Sequence, residues 1–261
     1  MSLLTWILLF SLLGGVLSVL AAATFLAFPE SLRVRLLPHF VSFAIGALLG
    51  AAFLALLPHA LEGPGVTDPH RVTGTVLIGV LGFFLLEKLV LWRHCHEADC
   101  EVHGDAEHGG HAKPAAGTLI LIGDAIHNLV DGVLIGAAFL TDIHLGIVTA
   151  VAVAAHEIPQ EVGDFAILLH SGYSRVRAFA FNMLSSLTTV IGGLAAYHAL
   201  GAAQMLVPYV LALAAASFIY IAVADLIPTL HRRAHPAATA QQMALILAGV
   251  LTIYLAHATL H

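Results

Sequence analysis

The segment from His156 to Asp164 constrains the chain more than any other, because it places charged side chains inside an apolar run. It has the sequence His-Glu-Ile-Pro-Gln-Glu-Val-Gly-Asp and lies in the middle of an otherwise apolar stretch from about Leu145 to Leu169. A stretch of this length can cross the hydrocarbon core of a bilayer, which is roughly 30 Å thick. A histidine and three carboxylates at mid-depth would be very costly if they faced lipid, so they must face a polar interior.

A second apolar segment, from about Gly117 to Leu140, also carries polar side chains in its middle. Helical spacing places these four residues on one stripe: Asp124, His127, Asn128 and Asp131. The later segment has comparable stripes, formed by His156 with Gln160 and by Glu157, Glu161 and Asp164. Two polar stripes that face each other at mid-depth would form a cage of imidazole and carboxylate ligands, which suits a divalent transition metal.

Packing alone does not account for the group His127, Asn128 and Asp131. A neighbouring helix can satisfy a lone buried His or Asn, but a buried carboxylate needs a counter-ion. No Lys or Arg lies at mid-depth in the predicted spans, so a bound cation is the simplest partner. The same reasoning applies to His156 and Glu157.

Several other polar residues have roles that the residues alone leave open. Gln160 fits either a metal ligand or a hydrogen bond between helices. Three acids fit the same cluster, the cation path or a proton relay equally well: Asp124, Glu161 and Asp164. The sequence also does not decide whether residues nearer the helix ends line the path, among them His59, His170 and Asp225.

Composition places the chain among membrane proteins. Hydrophobic residues make up 59% of the 261 residues and charged residues only 10%, whereas about 25% of residues are charged in soluble domains. Since each span needs about 20 residues, the length allows about eight spans joined by short loops. We therefore predict an all-α membrane protein, a single domain over 1–261, with spans near 3–28, 39–61, 72–92, 117–140, 144–170, 176–200, 205–229 and 240–260. The first span lacks the basic start of a signal peptide, so we expect it to be retained.

The basic residues predict the orientation of these spans. Most Lys and Arg residues fall in or beside the loops after spans one, three, five and seven. By the positive-inside rule those loops face the cytoplasm, so both termini face outward. The cytoplasmic loop at 93–116 contains five histidines and both cysteines of the chain, and we predict that it chelates metal. Similar sequences around Pro58 and Pro228 lie in spans of opposite direction, which suggests an inverted repeat.

Two motifs in this order resemble a known family. His-Asn-x-x-Asp-Gly-x-x-x-Gly begins at His127 in the fourth span, and His-Glu-x-Pro-x-Glu-x-Gly-Asp begins at His156 in the fifth. This pattern resembles the ZIP (Zrt- and Irt-like) metal transporters, and most closely the branch whose fifth helix reads His-Glu-x-Pro-His-Glu. Where that branch has its second His, this chain has Gln160, a weaker neutral ligand. The resemblance implies three helices before and three after a central pair.

The resemblance also implies an activity and a set of ligands. It implies a carrier, not an enzyme, that brings Zn²⁺ into the cytoplasm as substrate and needs no catalytic cofactor. Nitrogen and oxygen ligands also suit Fe²⁺, Mn²⁺, Co²⁺ and Cd²⁺. By resemblance, a first metal position would be formed by His127, Asp131, His156 and Gln160. A second would be formed by Asn128, Asp131, Glu157 and Gln160.

Other function classes fit less well. An intramembrane zinc hydrolase is the main alternative, because His156-Glu157 resembles the start of His-Glu-x-x-His. Position 160 is Gln, however, and Pro159 breaks the helix that would align a second histidine. The chain has no Gly-x-x-x-x-Gly-Lys-Ser/Thr motif, which excludes an ATP-driven pump within it, and no basic patch that would indicate nucleic acid. The expected partners are a divalent metal ion, the lipid bilayer and, in a homodimer, a second copy of the chain. The expected location is a bacterial inner (plasma) membrane.

Overall fold

The computed structural model describes residues 1–95, 113–231 and 236–260, and every regular element in these ranges is a helix. The all-α prediction is therefore confirmed for the described residues. Most of the predicted His-rich loop, including Cys100 and four of its histidines, lies outside them.

Twelve α-helices are described, and two of them are extended by π-helical segments. In chain order the α-helices are α1 (Leu3–Gly14), α2 (Val16–Leu26), α3 (Glu30–Gly50), α4 (Leu57–Leu61), α5 (Pro69–Cys95), α6 (Lys113–Thr141), α7 (Ile143–His170), α8 (Arg175–Ser186), α9 (Thr188–Ala202), α10 (Val207–Tyr220), α11 (Ile227–His231) and α12 (Pro236–Leu260). The π-helical segments are Ala51–Leu56, between α3 and α4, and Ile221–Leu226, between α10 and α11. A short 3₁₀ turn, Gln204–Leu206, precedes α10.

Seven helical stretches in the described residues are long and apolar enough to cross a membrane. They are Leu3–Leu26, Glu30–Leu61, Pro69–Leu89, Ile120–Thr141, Arg175–Ala202, Gln204–His231 and Ala237–Ala258. Each overlaps one of the predicted spans. The remaining predicted span corresponds to α7, which is 28 residues long but carries the polar segment that begins at His156, and this segment lowers its hydropathy.

The helices pack in two groups. One group contains α1, α2, α6, α7, α8 and α9, and its longest contact runs between α6 and α9. The other contains α3, α4, α5, α10, α11 and α12, where α3 packs along α12 and α10 packs along α5. Contacts of α7 with α3 and of α6 with α10 join the groups. The two helices that carry the polar stripes therefore lie at the junction.

Glycine allows the closest of these helix contacts. A Cβ atom added at Gly132 of α6 would collide with the backbone carbonyl of Thr189 in α9, and one at Gly46 of α3 would collide with that of Ile246 in α12. Helices in lipid gain much of their association energy from such close backbone approach. Gly132 and Gly46 therefore lie where two helix backbones are in direct contact.

The two π-helical segments end directly before a Leu-Pro and an Ile-Pro pair, at Pro58 and Pro228. Proline lacks the N–H that an α-helix needs, and its ring clashes with the carbonyl four residues earlier. One extra residue in the preceding turn relieves this clash. By contrast, α7 remains α-helical through Pro159.

Both ends of α7 are fixed by local signals. A single residue, Asp142, separates it from α6, and the Asp142 carboxylate accepts hydrogen bonds from the N–H groups of His144 and Leu145 as an N-cap. At the other end Gly172 has φ +89°, which favours glycine, and the N–H of Tyr173 donates to the carbonyl of Leu168. The cap at Asp142 places α6 and α7 side by side with a tight connection.

Candidate metal centre

Four side chains from α6 and α7 converge where the polar stripes meet: His127, Asp131, His156 and Glu157. One ligand atom from each lies within 4.8 Å of all the others. The Nε2 atom of His156 lies 3.2 Å from Oδ2 of Asp131, and the Nε2 atom of His127 lies 3.3 Å from Oε1 of Glu157. The two Nε2 atoms are 3.3 Å apart. Two imidazole nitrogens and two carboxylates at this spacing form a donor set that suits Zn²⁺.

The ring of His156 is held in place by contacts on α7 itself and on α10. Its Nδ1 lies 3.1 Å from the carbonyl oxygen of Ala152, one turn earlier, and its ring packs edge-on against Phe218. When Nδ1 carries the proton and donates to that carbonyl, Nε2 is left with its lone pair directed at the cluster. This is the arrangement by which proteins orient metal-binding histidines.

The carboxylates of the cluster are buried without compensating donors. Asp131 and Glu157 are fully buried, and their four oxygens accept no hydrogen bond, so the histidine nitrogens are their close polar neighbours. Across the described residues no Lys or Arg forms an ion pair with them. Buried carboxylates cost several kcal/mol each unless a positive charge compensates them. A divalent cation between them would supply that charge.

The structure brings four of the six predicted ligands together and places the other two beside them. The Asn128 side chain is engaged elsewhere: its Nδ2 donates to Asp124 Oδ1 at 2.8 Å, and its Oδ1 accepts from Thr189 Oγ1 at 2.7 Å. Gln160 lies on the wall of the adjoining cavity together with His127 and His156. The ligand roles of Asn128 and Gln160 therefore stay predictions.

A second convergence of acids adjoins the first. Asp124, Glu157 and Glu161 each offer a carboxylate oxygen within 4.8 Å of the others, and all three side chains are buried. The Ser185 hydroxyl of α8 donates to Asp124 Oδ2. Asp164 lines the cavity instead.

A cavity of about 870 Å³ leads away from the cluster. Its polar wall contains Glu87, Asp124, His127, His156, Gln160, Asp164, Tyr220 and Asp225. The hydroxyl of Tyr220 donates to Glu87. Most of the lining comes from the parts of the helices nearest the loops that the positive-inside rule predicts to be cytoplasmic. Beyond the cluster in the other direction the bundle is filled by buried apolar side chains, including Phe139, Leu145 and Leu211.

Sequence reasoning missed the contribution of α8 and α9. Ser185 and Thr189 fix Asp124 and Asn128 across a helix interface, and the amide of Asn182 lies beside Glu161. The available signal was the presence of buried polar residues at helical spacing in an otherwise apolar span, since Asn182, Ser185 and Thr189 lie on one face.

Comparison with known proteins gives one family and several relatives. Residues 92–257 match the family described as "Zip: ZIP Zinc transporter". The chain is 32% identical over 250 residues to zinc transporter ZIP4 of Mus musculus, in a match that covers 73% of this chain and 38% of that protein. It is 32% identical over 240 residues to zinc transporter ZIP13 of Pongo abelii, covering 84% and 66% respectively. It is 31% identical over 260 residues to zinc transporter ZIP13 of Homo sapiens, covering 84% and 70%. The match thus spans from about two fifths to somewhat over two thirds of these relatives.

Proposed function

The chain belongs to the ZIP zinc transporter family, and we propose that it carries Zn²⁺ across a membrane into the cytoplasm through the cluster between α6 and α7. This family is one of transporters and not of enzymes. The relatives of the chain, and the seven apolar helices found among its described residues, mark it as an integral, multi-pass membrane protein. We also propose, from the sequence, that the chain belongs to the branch of this family whose fifth helix reads His-Glu-x-Pro-His-Glu.

One observation carries the proposal: His127, Asp131, His156 and Glu157 converge in the interior of a bundle of membrane-spanning length. A hydrated Zn²⁺ ion must exchange water for protein ligands before it can cross the hydrocarbon region. Two imidazoles and two carboxylates replace those waters, and the two negative charges of Asp131 and Glu157 neutralise the ion.

The cavity supports a route for release. With the basic loops in the cytoplasm, the space that adjoins His127, His156 and Gln160 opens toward that side. The acids Asp164 and Asp225 lie on its wall and would attract a departing cation. Packed apolar side chains fill the opposite side. We therefore assign this structure to the state that is open to the cytoplasm.

The packing supports eight spans in a 3+2+3 arrangement with α7 as the fifth. An inverted repeat relates span one to six, two to seven, three to eight and four to five. Under this exchange, the contact of α3 with α12 corresponds to that of α10 with α5. The contact between α6 and α9 corresponds to the contact between α7 and α1. The contact between α3 and α7 corresponds to the contact between α10 and α6. The π-helical segments before Pro58 and Pro228 also occupy equivalent places.

The remaining parts of the proposal rest on the sequence. They are an outward location of both termini, a metal-chelating loop at 93–116, a location in a bacterial inner membrane and a homodimer. The three relatives compared above come from vertebrates, so the bacterial location has its basis in the sequence alone. Fe²⁺, Mn²⁺, Co²⁺ and Cd²⁺ are further candidate substrates. The intramembrane hydrolase is not favoured, because the relatives are named as transporters and position 160 offers no second histidine.

Uptake into proteoliposomes tests the function. Proteoliposomes that contain the purified protein should accumulate radioactive Zn²⁺. Fe²⁺, Mn²⁺, Co²⁺ and Cd²⁺ should compete with this uptake according to their affinity. Asp131→Asn should lose most of this uptake, because it removes one of the two charges at the cluster. Asp68→Asn is the matched control, since Asn can still accept the bond from the N–H of His70. Equal uptake by Asp131→Asn and wild type would place the metal elsewhere, and no uptake by wild type would refute transport.

A further inference from the structure

A group of two aromatic rings and two carboxylates lies on the cavity wall, separate from the four cluster residues. It consists of Phe83 and Glu87 on α5, Tyr220 at the end of α10 and Asp225 in the π-helical segment that follows. We propose that this group binds the positive head of an amphipathic organic cation, an ammonium ion whose apolar body lies along the rest of the cavity. The inference concerns a ligand other than the metal and does not rest on the proposed function.

The local helix geometry brings the members of this group to the cavity. Phe83 and Glu87 are one turn apart on one face of α5. Tyr220 and Asp225 are five residues apart, a separation that an α-helix of 3.6 residues per turn would place on different faces. The π-helical segment Ile221–Leu226 changes this, because its hydrogen bonds join residues five apart. Tyr220 and Asp225 therefore both line the cavity.

Contacts between α5 and α10 hold the four side chains together. The ring centroids of Phe83 and Tyr220 are 6.4 Å apart, and the two ring planes are inclined by 31°. The hydroxyl of Tyr220 donates to Glu87. Asp225 lies close enough to interact electrostatically with both Glu87 and Tyr220. The group thus combines aromatic surface with two carboxylates.

This combination suits an organic cation better than a metal ion. The face of an aromatic ring attracts an ammonium group, and the attraction increases where water is excluded. Aromatic rings are not among the nitrogen, sulfur and oxygen ligands that bind Zn²⁺. The carboxylates of Glu87 and Asp225 add charge complementarity. The residues that line the cavity, all of them in the described ranges, include no Lys or Arg that would repel such a ligand.

The cavity also offers an apolar surface that a small inorganic ion does not need. Its volume of about 870 Å³ falls in the range of roughly 300–1,000 Å³ that is usual for small-molecule pockets. Its apolar wall includes Leu37, Val41, Leu86, Ile126, Val130 and Leu226. A hydrocarbon body gains free energy by burial against such a wall. The ligand should therefore carry both a positive head and an apolar body.

Binding of tetrabutylammonium to the purified full chain tests the proposal, since this ion has a fixed charge and four apolar arms. Equilibrium dialysis in an uncharged detergent, with empty micelles as the blank, should show one saturable site per chain. Asp225→Asn and Glu87→Gln should each weaken binding at least about 5-fold, because each removes one negative charge beside the ligand. Glu30→Gln makes the same change outside the cavity, on the exposed first turn of α3, and should bind like wild type.

Two further comparisons test the rings and the apolar wall. Phe83→Leu keeps both charges and an apolar side chain, and it should weaken tetrabutylammonium binding about 3-fold while its affinity for Zn²⁺ in calorimetry stays that of wild type. Tetramethylammonium has the same charge without the long arms. It should bind wild type at least about 10-fold more weakly than tetrabutylammonium does.

Binding to wild type no greater than to empty micelles would overturn the proposal. Equal affinity in wild type, Asp225→Asn and Glu87→Gln would also overturn it, because the acids would then play no part. Unchanged affinity in Phe83→Leu, or equal affinity for the two ammonium ions, would have the same effect. Thermal unfolding shows that each variant is folded. All of these outcomes leave the proposed transport function intact, because Zn²⁺ uptake is measured separately.

Discussion

The Nε2 atom of His156 lies 3.2 Å from Oδ2 of Asp131 on the neighbouring helix. Both side chains are almost completely buried, and the opposite nitrogen of the His156 ring lies 3.1 Å from the carbonyl of Ala152. The imidazole is thus fixed by its own helix on one side and directed at a carboxylate of α6 on the other. This contact joins the two polar stripes, and a metal held between them would draw ligands from both helices.

Replacement of His156 by Ala should weaken Zn²⁺ binding by at least about 10-fold, since loss of even a partner behind a metal ligand costs about that much. His39→Ala is the matched control. The ring of His39 also contacts a carbonyl one turn earlier, that of Arg35, but His39 is not part of the cluster. Calorimetric titration of both variants measures the effect, and unchanged affinity in His156→Ala would remove this residue from the ligand set.

A histidine at position 160 should tighten metal binding. Gln160 lines the cavity next to His127 and His156, and imidazole is a stronger ligand for Zn²⁺ than a neutral amide. In Gln160→His we expect higher affinity in calorimetry and slower uptake in proteoliposomes, because release should become slower. An affinity equal to that of wild type would show that the side chain at 160 does not reach the ion.

Thiol labelling tests the orientation of the spans. In a background without Cys95 and Cys100, Ile143→Cys should react with an impermeant reagent added outside intact cells, whereas Val176→Cys should react only after permeabilisation. Both side chains are exposed at helix starts, and neither is a capping residue. The opposite pattern would invert the orientation that the positive-inside rule predicts, and the cavity would then open outward.

Deletion of His96 to His111 should leave transport intact. The described helices α5 and α6 end at Cys95 and begin at Lys113, so this change removes neither of them. If the loop chelates metal without lining the path, the variant should fold and transport with a changed apparent affinity. Vesicle uptake at matched protein levels measures this, and complete loss would make the loop part of the pathway.

An alanine at Gly132 should destabilise the bundle by about 1–3 kcal/mol, which is the usual cost of overpacking. The added methyl group would collide with the backbone of α9, and a backbone cannot move aside as a flexible side chain can. Gly82→Ala in α5 meets no atom within 4 Å and should be neutral or up to about 1 kcal/mol more stable. Thermal unfolding in one detergent compares them, and equal midpoints would contradict the close packing.

Hydropathy and helical spacing predicted much of this architecture. Each described span overlaps a predicted one, because about 20 apolar residues in succession have few alternatives to a membrane helix. The two polar stripes predicted the four residues of the metal cluster. His127 and Asp131 are one turn apart on one helix, and His156 and Glu157 are adjacent on the next. Their convergence required only that two consecutive helices pack side by side.

The contacts between distant helices could not be predicted in the same way. Periodicity shows which residues share a face, but it does not show which helix that face meets. The hydrogen bond of Thr189 to Asn128 joins residues 61 positions apart, and it changes which atoms of Asn128 are available to a metal. The sequence also predicted a helix break at Pro159, but α7 remains α-helical there. The α-helix is interrupted by π-helical segments before Pro58 and Pro228 instead, although all three prolines interrupt hydrogen bonding in the same way.

The one-residue connection at Asp142 has a mechanical consequence. Only Asp142 separates α6 from α7, and its carboxylate caps the first turn of α7. At this end the two helices form a tight hairpin, and they cannot separate there without breaking the cap hydrogen bonds. The connection keeps α6 and α7 together at this end of the hairpin, so we expect the two helices to move together there when access alternates between the two sides of the membrane.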